Sequence, residues 1–321
     1  MDTIGMQIER FENNPMVTPD MVAHTAELPD EVKDLETDSI TTDLSGLEGN
    51  INGPSLIEVP PWVEEPLGNY YLYFANHQGR FIYLAYADSL SGPWELHAPG
   101  TLHIDETPFC HHIASPDVHV LPEQERIRMY YHGATDYDSY MELTNRDGQA
   151  SSVAHSKNGI EFDSSTTTFG TPYLRRFSVG EWEYFLSGQG LLYRASDGVS
   201  AFELGPQLLG EGLRHPGVNV VGDTLHVYYS RRDNPPESIF HGIVDVSRDW
   251  HDWTLENSEM VLSPEREYEG ADLPVTESEV GFARSRLRQV RDPYVYTEDG
   301  HTYLLYAVAG ERGIAIAEIV P

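Results

Sequence analysis

Short apolar runs bounded by turn residues recur along the whole chain. Most alternate with polar positions or run continuously over a few residues, which is the periodicity of strands and not the 3.6-residue spacing of helices. Five of the runs open on a proline: Gly53-Pro54-Ser55-Leu56-Ile57, Ser115-Pro116-Asp117-Val118, Thr171-Pro172-Tyr173-Leu174, His215-Pro216-Gly217-Val218 and Asp292-Pro293-Tyr294-Val295. Each leads, after a turn, to an aromatic-rich second strand at 70–74, 127–131, 182–186, 225–229 and 303–307. Third strands are expected at 81–87, 152–155, 191–195, 240–246 and 313–319. Weaker fourth strands follow turn sequences such as Lys157-Asn158-Gly159 and Ser196-Asp197-Gly198, with Trp94, Phe162, Phe202 and Trp253 at their edges.

A unit of four strands repeated every ~40 to 50 residues is the signature of a β-propeller. Five such units predict an all-β, five-bladed β-propeller with four antiparallel strands per blade, in one domain spanning 1–321. The blades are expected to start near 52, 113, 170, 214 and 290. Residues 1–50 then form an N-terminal extension, in which Met16-Val17 is the expected strand that completes the last blade and closes the ring. Uneven spacing puts insertions around 136–149 and 256–288, and long insertions on a rigid β scaffold are more often functional rims than core.

Charge narrows the class of partner. The chain carries 52 acidic against 20 basic residues, a net charge of -32, and Lys33 and Lys157 are its only lysines. Such an acidic, lysine-poor surface suits high salt, where self-repulsion is screened, so the protein reads as halophilic; it argues against nucleic acid or anionic membranes as partners. Cys110 is the only cysteine, so neither an intrachain disulfide nor a multi-cysteine metal site can form. The first ten residues lack a basic start and apolar run, and no stretch approaches membrane-spanning length; a cytoplasmic location is the expectation.

In a propeller the innermost strand of each blade begins at one end of the central axis, and the antiparallel second strand ends there. Side chains at those positions converge on one pocket. They include Asn52, Asn76 and His77 in the first blade, and His111, His112, Asp117 and His132 in the second. The third supplies Tyr173, Arg175 and Gln189, the fourth His215, Arg231 and Arg232, and the fifth Arg288, Arg291, Asp292 and Glu311. Carboxylates, imidazoles and guanidiniums together suit an oxygen-rich ligand such as a sugar, which needs many directional hydrogen bonds and, where it is acidic, arginine forks. Trp62, in Pro60-Pro61-Trp62, offers a stacking face for a sugar ring or packs against its own blade.

Ala114-Ser115-Pro116-Asp117-Val118 and Arg291-Asp292-Pro293-Tyr294-Val295, each followed by an aromatic strand, resemble the five-bladed glycoside hydrolases of the arabinanase and xylosidase type, family 43, and the invertase-like families. The resemblance covers roughly 52–319. It implies a general base before the first-blade proline, a second-blade aspartate that tunes pKa and orientation, and a third-blade general acid. Asp117 matches the second of these, but Gly53 stands at the base position and Thr171 at the acid position. Arg291-Asp292-Pro293 resembles the triplet that supplies a stabilising aspartate in the invertase-like families, although it lies in the last blade.

Three functional readings follow. In the first the chain is a glycoside hydrolase cleaving an oligosaccharide by carboxylate acid/base chemistry, with Asp117, Asp292 and Glu311 as the catalytic candidates. There Asp292, beside arginines, is a base or stabiliser, and Glu311 is an acid whose pKa burial raises. Asn52, His77, His112, His132, Tyr173, Arg175, Gln189, His215, Arg231, Arg288 and Arg291 are the expected substrate-binding groups. In the second reading the enzyme is a lyase acting on uronic-acid sugars, with arginine neutralising the sugar carboxylate and a His or Tyr abstracting the adjacent proton. In the third it is a carbohydrate-binding propeller without catalysis. None requires a cofactor. Calcium on axial carboxylates is the metal the residues would suit as a structural ion, ahead of a transition metal on Cys110-His111-His112.

Overall fold

The computed structural model describes residues 6–23, 49–77, 79–135, 148–278 and 281–320. Most of the insertion expected at 136–149 and much of the N-terminal extension lie outside them. Among the described residues the regular secondary structure is nearly all strand, arranged as five four-stranded antiparallel sheets about one axis. The first blade holds β2 (Asn52–Glu58), β3 (Tyr70–Ala75), β4 (Phe81–Ala87) and β5 (Glu95–His103). The second holds β6 (Cys110–Leu121), β7 (Arg126–Ala134), β8 (Gln149–Ser156) and β9 (Asp163–Ser164). The third holds β10 (Arg175–Val179), β11 (Trp182–Leu186), β12 (Leu191–Ala195) and β13 (Glu203–Gln207). In the fourth are β14 (Leu213–Val221), β15 (Thr224–Arg231), β16 (Ile239–Asp245) and β17 (Glu256–Leu262). The fifth consists of β18 (Val290–Glu298), β19 (His301–Val308), β20 (Ile314–Val320) and, on its outer edge, β1 (Gln7–Arg10).

β1 pairs antiparallel with β20 from Gln7 opposite Val320 to Arg10 opposite Ala317. Met16-Val17, expected to be the strand in this place, makes only a single bridge from Val17 to Ile314. Pro15 removes a ladder donor just before it, and both side chains are buried among Leu56, Phe74, Leu305 and Ile314 between the first and fifth blades. The apolar signal at this position therefore belongs to an inter-blade plug. The third blade also departs from the pattern, since Thr171 to Leu174 precede the inner strand, which starts at Arg175.

The hydrophobic residues collect into five clusters, one at each interface between neighbouring blades. Tyr71, Tyr73, Ile113 and Tyr131, for instance, join the first and second blades, and Tyr228, Ile239, Val290 and Leu304 join the fourth and fifth. Buried on both faces, the middle strands are mostly apolar, which leaves the inner-strand starts and second-strand ends as the polar positions that line the axis. There the ladder slips: register shifts occur between Asn52 and Ser55, Ala114 and Asp117, Leu213 and Pro216, and Arg291 and Tyr294. Proline cannot donate to the ladder and restricts the residue before it, so these four inner strands bulge there. Gly53 (φ 60°), Ser115 (φ 48°) and Asp292 (φ 54°), each preceding a proline, take left-handed backbone. No helix among the described residues is long and apolar enough to cross a membrane.

Candidate functional site

The inner-strand starts and second-strand ends do converge, at two depths. Arg175 occupies the deeper level as the hub of the ring. Its guanidinium donates to the carbonyls of Pro116 (2.8 Å), Pro216 (3.2 Å) and Pro54 (3.5 Å) and to Asp117 Oδ1 (3.3 Å), and it lies 5.4 Å from the centre of the Tyr294 ring. These contacts reach all four other blades. Asp117 is correspondingly enclosed: Oδ2 also accepts from His119 Nε2 (2.7 Å) and the Arg176 N–H (2.8 Å). Burial would raise its pKa, but His119, Arg175 and the Arg176 amide outweigh that and hold it below the ordinary aspartate value.

Nearer the mouth the side chains form two linked groups. The first is a row of rings running from blade to blade. His112 and His132 are 5.8 Å apart between centroids, His132 and Tyr173 3.9 Å, and Tyr173 and His215 4.1 Å. The row ends where His215 Nδ1 makes a short hydrogen bond to Asp292 Oδ1. Tyr173 is brought into line by its left-handed backbone (φ 62°) in the loop before β10. Asp292 is fully buried, and its Oδ2 has no hydrogen-bond partner among the described residues. Burial pushes its pKa up, yet His215 and Arg291 pull it net below the normal value, so the carboxylate is ionised at neutral pH. His112 is driven the other way for a base: burial, with His111 and His77 nearby, lowers it to about 3.

The second group is an ionic lattice around Arg291. This guanidinium contacts Glu311 Oε1 (3.0 Å) and Glu237 Oε2 (3.0 Å) and donates to Gln289 Oε1. Glu237 in turn accepts from Arg214 Nε (2.7 Å), Ser230 Oγ (3.0 Å) and the Ser278 hydroxyl. Glu311 accepts from Asn50 Nδ2 and the Ala283 N–H (3.3 Å), with His77 Nδ1 at 3.8 Å. Asn50 also accepts from Asn52 Nδ2 (3.0 Å) and the His77 N–H (2.9 Å), tying the first blade to the fifth. Burial alone would raise the Glu311 pKa, as expected for an acid. Arg291 and His77 reverse the sign and hold it well below the ordinary carboxylate range, opposite to that expectation.

Other expected residues lie elsewhere. Arg231 forms a two-pronged pair with the neighbouring Asp233 (2.8 and 2.6 Å) on the partly exposed rim. Gln189 lies in the turn between β11 and β12, where its carbonyl accepts from Gln207. Arg288 is partly exposed in the loop before β18 and is not joined to the lattice by a hydrogen bond. Trp62 follows the far end of β2, so it is at the opposite face, where it donates to the Lys157 carbonyl (3.2 Å). His111 takes left-handed backbone (φ 72°) where the ladder shifts register between Cys110 and Ile113, so Cys110-His111-His112 is not the simple extended run expected; no cluster of three metal-ligating side chains occurs among the described residues.

Arg214, Glu237, Ser278, Gln289 and Asn50 were not anticipated. Arg214 precedes His215-Pro216, and Gln289 opens the Gln289-Val290-Arg291 alternation, so position could have flagged both. Ser278 comes from the insertion read as a functional rim. Gly53, where the resemblance places the base, is closed to a larger residue: a Cβ there would sit 3.0 Å from Ser115 Cα and 3.1 Å from Ser115 Oγ.

No family model matches the chain. It is 34% identical, over 304 aligned positions covering 84% of this chain and 83% of the other, to "Uncharacterized protein R118" of Acanthamoeba polyphaga mimivirus. The chain belongs to the family of that viral protein. Solved structures share its fold at much lower identity. A GH43 β-xylosidase/α-arabinofuranosidase from a compost microbial metagenome, in complex with xylotriose, aligns with a TM-score of 0.56 and 12% identity over 84% of this chain and 91% of that one. An N-acetylgalactosamine deacetylase from F. plautii, in complex with blood group B trisaccharide, aligns with a TM-score of 0.55 and 13% identity over 87% and 92%. The five-bladed propeller seen in glycoside hydrolases of family 43 is thus the architecture of this chain.

Proposed function

We propose that the protein is a carbohydrate-active hydrolase whose working pair is Asp292 and His215 at the mouth of the propeller axis. One observation carries the reading: a fully buried, ionised carboxylate with one oxygen held by His215 and the other without a hydrogen-bond partner among the described residues. A buried polar atom left bare costs free energy, and such atoms are retained where chemistry needs them. The left-handed backbone at Asp292 that turns the carboxylate into the mouth adds a local strain typical of functional sites. Neighbours of the same fold are bound to oligosaccharides, which supports a sugar as the ligand.

In this mechanism Asp292 Oδ2 takes a proton from the attacking water, whose oxygen bonds to the anomeric carbon as the glycosidic bond breaks. His215, which holds Oδ1 through Nδ1, keeps that carboxylate ionised and aimed but sits too close to it to reach the opposite side of the scissile bond. There the departing sugar oxygen takes its proton from solvent, and Asp292 returns its own proton to solvent to reset the site. Glu311 and Arg291 position the fifth blade's rim. Asp117 and Arg175 act as the structural hub beneath it.

The test is to incubate the protein with a panel of oligosaccharides, following new reducing ends together with absorbance near 235 nm. Reducing ends without absorbance, lost in Asp292→Asn, support hydrolysis. Absorbance would replace it by elimination, and binding without either signal by a non-catalytic module.

A further inference from the structure

Arg232 follows β15 at the same rim as the lattice. Its backbone N–H is fixed to the Gly212 carbonyl (2.8 Å). The nearest carboxylate in sequence, Asp233, has both oxygens taken by Arg231 at 2.8 and 2.6 Å. Glu237, inside the lattice, is occupied by Arg214 and Arg291. Among the described residues the Arg232 guanidinium makes no hydrogen bond or ion pair, in a chain with 52 acidic residues to choose from.

The same guanidinium lines a cavity of about 460 Å³ with Gly212, Asp233, Pro235, Glu277 and Ser278. Ser278 links that cavity to the lattice, since its hydroxyl accepts from Arg214 Nη2 (2.9 Å) and donates to Glu237. Burial, the like charge of Arg214 and partial compensation from Glu237, Asp233 and Tyr173 leave the Arg232 pKa lowered, which means its charge is held at a cost. An incoming anion would remove that cost. A planar guanidinium fork matches an anionic oxygen pair better than a neutral hydroxyl does.

We propose that the substrate carries an anionic group, a uronate carboxylate or a sulfate ester, and that Arg232 binds it in the cavity beside Ser278. This rests on the mouth being the sugar site proposed above, and it makes Arg232 a specificity determinant with no part in the proton transfers. Because the chain as a whole repels anions, selectivity for a charged sugar requires a dedicated local cation of this kind.

The experiment is calorimetric titration of the full chain, at fixed ionic strength, with oligogalacturonates, sulfated oligosaccharides and neutral oligosaccharides of equal length. The wild type should prefer one anionic series, which identifies the substituent. Arg232→Gln should weaken that series by about 10- to 100-fold and leave neutral sugars unchanged. Arg232→Lys, which keeps the charge but loses the fork, should fall between. Equal affinity for neutral and charged sugars in the wild type, or an unchanged anionic affinity in Arg232→Gln at unaltered Tm, overturns the inference. Asp292→Asn separates the two claims: full hydrolysis in that variant defeats the proposed catalytic pair, whereas the Arg232 claim is read from binding alone.

Discussion

Arg175→Met removes a side chain that contacts every other blade, and the structure sets the size of the effect. Four polar contacts disappear, and Asp117 remains buried and ionised with only His119 and the Arg176 amide to hold it. Breaking one partner out of a buried ion pair costs about 3–5 kcal/mol, because the surviving charge stays desolvated. An unfolding entropy of about 2.1 cal/mol/K per residue over this chain's length converts that into a Tm loss of about 4–8 °C. Arg231→Met is the matched control, since the Arg231–Asp233 pair is partly exposed and worth roughly 0–1 kcal/mol. Differential scanning calorimetry measures both. The double variant Asp117→Asn/Arg175→Met should lose less than the two single variants together, because neutralising Asp117 removes the stranded charge. An Arg175→Met protein melting within a degree of Arg231→Met would refute the assignment of Arg175 as the hub.

Three further outcomes follow from the geometry. His112 is held at about 3 when folded and titrates near 6.5 when unfolded, so the unfolded state gains the extra proton as pH falls; stability is full above pH 6.5 and declines toward pH 3, by up to roughly 4–5 kcal/mol. In urea titrations between pH 7 and 4, His112→Phe should flatten that decline, whereas an unchanged slope contradicts it. Asp292 and Glu311, both lowered, add a separate loss only below about pH 4.5, as pH drops beneath their unfolded values. Gly53→Asp, which restores the carboxylate of the resembled family, should destabilise by about 1–3 kcal/mol through contact with Ser115 and should not raise activity. Raising potassium chloride from low to molar concentrations should raise Tm by screening the excess of carboxylates; a Tm indifferent to salt would remove the case for salt adaptation.

How much was legible depended on which physical rule was local. The middle strands at 182–186 and 191–195 were readable to the residue because apolar continuity and flanking turns are properties of the segment itself. Tyr173 joins the row of rings from the loop before β10 through its left-handed backbone, whereas the convergence of His112, His132, His215 and Asp292 followed from strand direction alone. Depth along the axis did not: Asp117 follows its proline and packs into the hub, whereas Asp292 precedes its own and turns into the mouth. That difference lies in the bulge, not in residue type. The sign of the Glu311 shift was likewise hidden, since it depends on Arg291 arriving from another strand at 3.0 Å. Met16-Val17 reads as the closing strand and is instead a plug, with Gln7–Arg10 as the closing strand, because burial by a neighbouring blade and burial within a sheet leave the same apolar trace.

The most direct test of the central claim is the turnover of the best oligosaccharide substrate by wild type and Asp292→Asn at matched folded fraction. The pair proposed here predicts a fall in kcat of about 10²- to 10⁴-fold with binding preserved. A variant that retains turnover within about threefold of the wild type, on a scale where a lost acid/base group costs at least a hundredfold, would contradict it.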